Sequence, residues 1–381
     1  MIYRTSEEEI ASYKEAPGIN QSLLKLLTKG VAFFNENLTE EQSDLYFEEK
    51  EHFIIGSAVD CKLTEGEDVF FERYHIADAN AKPSDTIMSI VKMIFDNYTE
   101  NYPGRSVPME LNDADLQEAV AEGIEYHQYQ PRWGAEAKYN KVVADGNPYW
   151  GELVISRGKQ ILSADQYALI STIVESLKTH PHTARIFSIA IDSEDYDIVY
   201  QFPIFFEYNG VQCKGLLDMV FIDHKNKTIA PIDLKTLFDS TINFPAAVRK
   251  RRYDFQASYY TEGIRLNKSQ LATKINKHLI DYTFRPFTFI IESTKRPGNP
   301  LVFVCNKELL TVGKYGINEL HYYNIDVANV FKQGAYLKSN MGFDQAIELY
   351  KWHLENGFDR DRVVAIHNGV LNFGWHDIIK G

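Results

Sequence analysis

From Asp195 onward, apolar and polar positions alternate along the chain in three long runs. These are YDIVYQFPIFFEY (196–208), VQCKGLLDMVFID (211–223) and TIAPIDLKT (228–236). Alternation of this kind predicts strands, because successive side chains leave opposite faces of a sheet. Two further runs, RPFTFIIES (285–293) and LVFVCN (301–306), predict strands on either side of the turn Lys295-Arg296-Pro297-Gly298-Asn299-Pro300. Elsewhere the apolar spacing is helical. Residues 20–36 predict a helix capped by Asn20 or Ser22, with Leu23, Leu24, Leu26 and Leu27 on its apolar side. Helices are also predicted over 51–64, 84–98, 163–178 and 245–265. A last one is predicted over FDQAIELYKWHLENG, stopped by Gly357. The segment ENLTEEQSDLYFEEKE reads as solvated surface, and residues 76–190 as a mainly helical insertion.

The polar turn His224-Lys225-Asn226-Lys227 fixes a register for the central hairpin. If Asp223 pairs with Thr228, Asp218 lies opposite Asp233. Lys235 shares a face with Asp233 two residues away. Two facing carboxylates repel, and a bound cation would relieve them. Oxygen donors of this kind suit Mg²⁺ (or Mn²⁺), and a lysine beside the metal can position an attacking water. The other reading of the pair is two solvated strand-end aspartates. Gln256 and Tyr260 stand one helical turn apart and can reach one cleft. Arg249, Lys250, Arg251 and Arg252 form the densest basic run and would face a phosphate backbone, with Lys295 and Arg296 as a second patch.

Charge narrows the choice of partners. The chain has 381 residues, is 44% hydrophobic and carries a net charge of −13, so a nucleic-acid partner would need local basic patches. Its 23 Tyr and 23 Phe read mostly as core. Cys61, Cys213 and Cys305 are far apart and form no C-x-x-C, which excludes zinc-ribbon and thioredoxin readings. Free cysteines fit a reducing cytoplasm. The opening residues lack an apolar signal core, and no run approaches the length of a membrane span.

D-(14 residues)-D-x-K, at Asp218, Asp233 and Lys235, resembles the PD-(D/E)XK nuclease signature. Gln256 to Tyr260 is similar to the Q-x-x-x-Y motif of RecB-like and RecE-like nucleases. His52 to Asp60 (HFIIGSAVD) resembles the family's G-x-A-x-H helix, and Gly18 to Leu27 the opening helix of phage exodeoxyribonuclease VIII-like proteins. Gly158 to Ser163 and His180-Pro181 match the middle of that group. Asp60 stands where the family has His, and Gln201 aligns where it often has Glu on the strand before the first aspartate.

The resemblance implies an α/β fold: a restriction-endonuclease-like core, with a mixed central sheet flanked by helices. The whole chain would form one nuclease domain, with the sheet and motif helix in 195–305. It implies a metal site of Asp218, Asp233, the carbonyl of Leu234 and Asp60, with His52 as a substitute ligand, and Gln201 beside metal-bound water. Gln256 and Tyr260 would hold DNA near the site. The activity implied is Mg²⁺-dependent exonucleolytic hydrolysis of DNA in phage-type recombination, in the 5′ to 3′ direction, with the product strand passed to a single-strand annealing protein. A structure-specific endonuclease and a non-catalytic DNA-binding protein are the alternatives. Some relatives form rings, so a homo-oligomer is a further expectation. The iron–sulfur cluster of other relatives needs four cysteines and cannot be built from three.

Overall fold

A computed structural model describes residues 1–36, 51–78, 83–187, 194–316 and 341–362. The acidic stretch 37–50 and the side chain of His52 lie outside the described residues. The chain divides into two compact units, Met1–Ser57 with Ile173–Gly381, and Ala58–Thr172.

The strands, in chain order, are β1 (Ile2–Arg4), β2 (Tyr74–Ile76), β3 (Gln160–Leu162), β4 (Tyr196–Tyr208), β5 (Val211–Asp223), β6 (Thr228–Leu237), β7 (Thr283–Phe284), β8 (Thr288–Ser293) and β9 (Leu301–Val304). The helices of the first half are α1 (Glu7–Glu15), α2 (Gln21–Leu27), α3 (Val31–Glu36), α4 (Glu51–Thr64), α5 (Glu67–Arg73), α6 (Asp85–Asn101), α7 (Gln117–Tyr126) and α8 (Ala135–Ser156). Those of the second half are α9 (Ala164–Thr179), α10 (Ala184–Phe187), α11 (Phe244–Arg251), α12 (Tyr253–Leu266), α13 (Lys268–Ile275), α14 (Lys307–Tyr315) and α15 (Phe343–Asn356).

The first unit is an α/β body. Its sheet has the order β1-β4-β5-β6-β8-β9, with β7 also beside β6. Strands β4, β5 and β6 are antiparallel neighbours, whereas β1 runs parallel to β4 and β8 parallel to β6. This is the mixed sheet flanked by helices that the sequence led us to expect. A parallel neighbour needs a crossover, and α11, α12 and α13 supply it between β6 and β8. Strands β4 and β5 match their alternating runs residue for residue.

Helix α12 is buried at every residue from Tyr253 to Tyr260. A helix so enclosed has no solvated face for its polar residues, so each must find a partner. Asp254 pairs with Arg252, Gln256 with Asp233, and Ser258 bonds the carbonyls of Asp254 and Leu310. Around them Phe202, Ile204, Phe255, Tyr259, Phe287, Phe289 and Phe343 form the core.

Two local expectations are corrected. The helix expected over 20–36 is two helices, α2 and α3, broken at Thr28–Gly30 where Gly30 has φ 129°. Asn20 is the cap of α2, accepting from the Leu23 N–H at 2.9 Å. The helix expected over 245–265 is broken at Arg252, which has φ 55° and ends α11 before α12 begins.

The second unit packs α6, α7 and α8 around Ile87, Ile90, Val91, Ile94, Phe95, Val120, Val142 and Trp150. The indole of Trp150 donates to the Pro108 carbonyl at 2.8 Å. Sequence pattern missed α8 because Gly146, Pro148 and Gly151 interrupt it. Among the described residues, no helix is long and apolar enough to cross a membrane.

Candidate active site

The β5–β6 hairpin has the register that its turn predicts. Its ladder runs from Asp223↔Thr228 to Met219↔Ile232. Continued by one rung, the same register would set Asp218 opposite Asp233, and both carboxylates act on Lys235. The β5–β6 ladder stops at the rung before, while on the opposite edge of β6 the pairing with β8 runs from Ile232 to Leu237. On the other side of β5, the rungs Tyr200↔Met219 and Phe202↔Leu217 bracket the place where Gln201 meets Asp218. Gln201 has φ 51°, inside an otherwise extended strand. A non-glycine residue held there costs about 1–3 kcal/mol, a strain that clusters at functional sites. Gln201, Asp218 and Asp233 therefore follow one another across three adjacent strands.

Asp233 is almost wholly buried, at 2% exposure. Gln256 Nε2 donates to its Oδ1 at 2.7 Å. Lys235 Nζ lies 2.7 Å from its Oδ2. With the Gln256 bond, this ion pair gives each Asp233 oxygen a partner at 2.7 Å. Burial works to lower the Lys235 pKa, but the Asp233 and Asp218 carboxylates outweigh it and hold the ammonium above the ordinary lysine range. The like-charge conflict expected of the facing aspartates is thus met by the protein's own cation.

Tyr260 sits one turn beyond Gln256 and is a core ring, 8% exposed and stacked on Phe287 at 6.2 Å. Burial first, then the charges of Tyr13, Asp218 and Asp233, raise its pKa well above the usual phenol value, so it stays neutral. Its ring passes so close to β5 that a Cβ at Gly215 would lie 2.7 Å from Tyr260 Cε1. Gly56 does similar work for α4: a Cβ there would stand 3.2 Å from the hydroxyl of Thr236, next to Lys235 in sequence. Asp60, one turn beyond Gly56, is half-buried and belongs to the second unit. Among the described residues, no three His, Cys, Asp or Glu side chains gather as a metal-ligand set.

The basic run divides in two. Arg249, Lys250 and Arg251 are exposed on the last turn of α11. Arg252 is not exposed with them. Its guanidinium is buried, bonds both Asp254 oxygens at 3.0–3.2 Å and donates to the Met341 carbonyl at 2.9 Å. Its expected place on a phosphate track is therefore corrected, because a guanidinium buried against Asp254 is not presented to a phosphate at the surface.

Sequence reading passed over Lys25. It is half-buried on α2, and its pKa falls to about 7. Burial is the largest cause and the nearby Lys235 charge the second, with Arg252 adding to it and Asp254 and Asp233 opposing. The available signal was a lone lysine inside the run Leu23-Leu24-Lys25-Leu26-Leu27.

Comparison with known proteins adds little. No family model matches the chain, and no curated protein matches it. Among solved structures, a crystal structure from Eubacterium rectale, described as a "Putative exonuclease", is similar over 81% of this chain and 94% of its own. Its identity is 14% and its TM-score 0.29, a likeness that carries no argument about what this chain does.

Proposed function

We propose that this chain is a divalent-cation-dependent deoxyribonuclease, acting from the ends of DNA. The observation that supports it most is the state of Asp233. One of its oxygens is fixed by Gln256, and the other is buried beside Lys235 at the point where the sheet's ladder gives way next to Asp218. The donor set fits a hard cation. Asp218 and Asp233 would hold Mg²⁺ (or Mn²⁺) with, as the resemblance has it, the carbonyl of Leu234. When bound, the ion supplies polarisation of the scissile phosphate and a lowered pKa for its water.

The chain's own residues do the rest. Gln256 holds the Asp233 carboxylate in one orientation. Lys235, a firm cation in this site, places positive charge where charge develops on the phosphate. Gln201, opposite Asp218, orients water at that carboxylate. Tyr260 packs under β5 and keeps its backbone against α12. Arg249, Lys250 and Arg251 carry the phosphate backbone toward the site. The decisive experiment incubates end-labelled linear duplex, its circular form and single strand with Mg²⁺. Shortening of the linear duplex or the single strand with the circle left intact supports an exonuclease, cutting of the circle an endonuclease. No hydrolysis of any of the three overturns the proposal.

A further inference from the structure

The loop that leaves the catalytic strand is built inside out. Phe238, the first residue after β6, is 73% exposed, and Ile242 is 70% exposed. The polar residues between them are tied down. Asp239 Oδ1 accepts from the Ser240 N–H at 2.7 Å and Oδ2 from the Asn243 amide at 3.0 Å. Buried Thr241 donates its hydroxyl to the Asn299 carbonyl at 3.2 Å. The neighbouring turn is equally fixed: Thr294 N–H bonds the Leu237 carbonyl at 2.9 Å, and buried Glu292 accepts from the Ser293 and Gly298 N–H groups. Two large apolar side chains are thus held out on a rigid frame. What sets these two apart from other exposed apolar side chains is the fixed loop that carries them beside a cation.

The surroundings identify the occupant. Lys295 Nζ stands 5.9 Å from the Phe238 ring centroid. Arg296 beside it, and Arg249, Lys250 and Arg251 shortly after Ile242, are exposed cations in a chain of net charge −13. An exposed aromatic ring with a lysine beside it and further exposed cations nearby in sequence suits a nucleobase attached to its phosphates. Phe238 lies three residues past Lys235, about 10 Å of extended strand, or about three nucleotide steps of a DNA strand. Resting on the nuclease reading above, we propose that Phe238 and Ile242 form a stacking platform for unpaired bases of the strand being processed, with Lys295 on the adjoining phosphate. The enzyme would accordingly favour single-stranded or frayed ends over fully paired ones.

The test is equilibrium binding in chelator by full-length protein, with fluorescent oligo(dT), its abasic counterpart and a hairpin-closed duplex as probes. Phe238→Ala should weaken oligo(dT) binding about tenfold, the scale of one base–aromatic stack. Phe238→Trp should stay near wild type. Wild type should bind the abasic strand as weakly as Phe238→Ala binds oligo(dT), while the closed duplex should distinguish none of these proteins. An equal loss on abasic and base-bearing strands, or no loss at all, overturns the platform. So does a self-association of wild type that Phe238→Ala abolishes, since the occupant would then be a second copy. Wild type that hydrolyses DNA while Phe238→Ala binds normally refutes the platform alone. Phe238-dependent binding without Mg²⁺-dependent hydrolysis refutes the nuclease reading alone.

Discussion

The two ends of the β5–β6 hairpin use the same residue type in opposite ways. At the turn, Asp223 accepts from the backbone and side-chain nitrogens of Asn226 at 2.9 and 2.8 Å and meets Arg185 at 3.4 Å. Nearby on β4, fully buried Asp197 is surrounded by the Met1 ammonium at 2.8 Å, His224 at 2.7 Å and Lys277 at 2.9 Å. Here carboxylates hold strands together. At the other end the β5–β6 ladder stops, Gln201 is strained, and Asp233 is met by Gln256 and Lys235, each at 2.7 Å, while the Asp218 charge acts on the same lysine. Carboxylates matched by several cations and donors serve the fold. Two carboxylates that share one lysine leave negative charge in excess, which a metal ion could meet.

The largest expected effect breaks the open end. Asp218→Asn and Asp233→Asn should each lower Mg²⁺-dependent cleavage by about 10²–10³, as loss of a charge-stabilising group does. Cleavage by both variants within about tenfold of wild type would place the chemistry elsewhere. Asp197→Asn is the counterpart. Cleavage should persist, while stability should fall by about 2 kcal/mol, the scale of bonds to a charged group, measured by urea unfolding at neutral pH. Burial tends to raise the Asp197 pKa, but the bonds from Met1, Lys277 and His224 outweigh it and hold it below 3.8. Its contribution is therefore present above that value and lost as pH falls through the depressed folded-state pKa. In Asp197→Asn the acid limb of the stability curve should flatten.

Lys25 sharpens the contrast from the basic side. Its pKa falls from 10.5 to about 7 in the folded protein, so the unfolded chain binds the extra proton between those values. Stability should rise with pH across that window. Lys25→Met should be more stable than wild type near pH 7, and the gap should close above 10.5. Thermal melts at both ends of the window check this, and a gap independent of pH would refute it. The smallest effect concerns the basic run. Arg251→Ala should reduce the slope of log K against log salt by about 1 and leave the melting temperature unchanged. Arg252→Ala should lower the melting temperature instead, because it strands Asp254.

How much of this was legible follows from what is local. The hairpin register could be read because a four-residue polar turn and period-two alternation sit side by side. The parallel neighbour β1 could not, since Ile2–Arg4 is too short to show a period. Gln201 was found by alignment to the family pattern, but its left-handed backbone leaves no mark in the sequence. Arg252 looked like its three neighbours. Its burial depends on Asp254 and on Met341, far along the chain. Lys25 is some two hundred residues from Asp233, and only the packing of α2 near α12 reveals that they share a site.

The two unlike neighbours of β6 also have a consequence for how the site comes into being. Asp218 and Asp233 meet through a tight hairpin, a contact of short sequence separation that forms in about 1–10 μs in isolated hairpins. The parallel pairing of β6 with β8 must wait for the whole crossover through α11, α12 and α13 to close, and pairings of that range slow folding. The carboxylates should therefore be brought together early and Gln256 and the β8 side of the cleft late. Slowing crossover closure, by weakening the contact of α12 with α14, should delay the appearance of activity during refolding more than the appearance of strand structure.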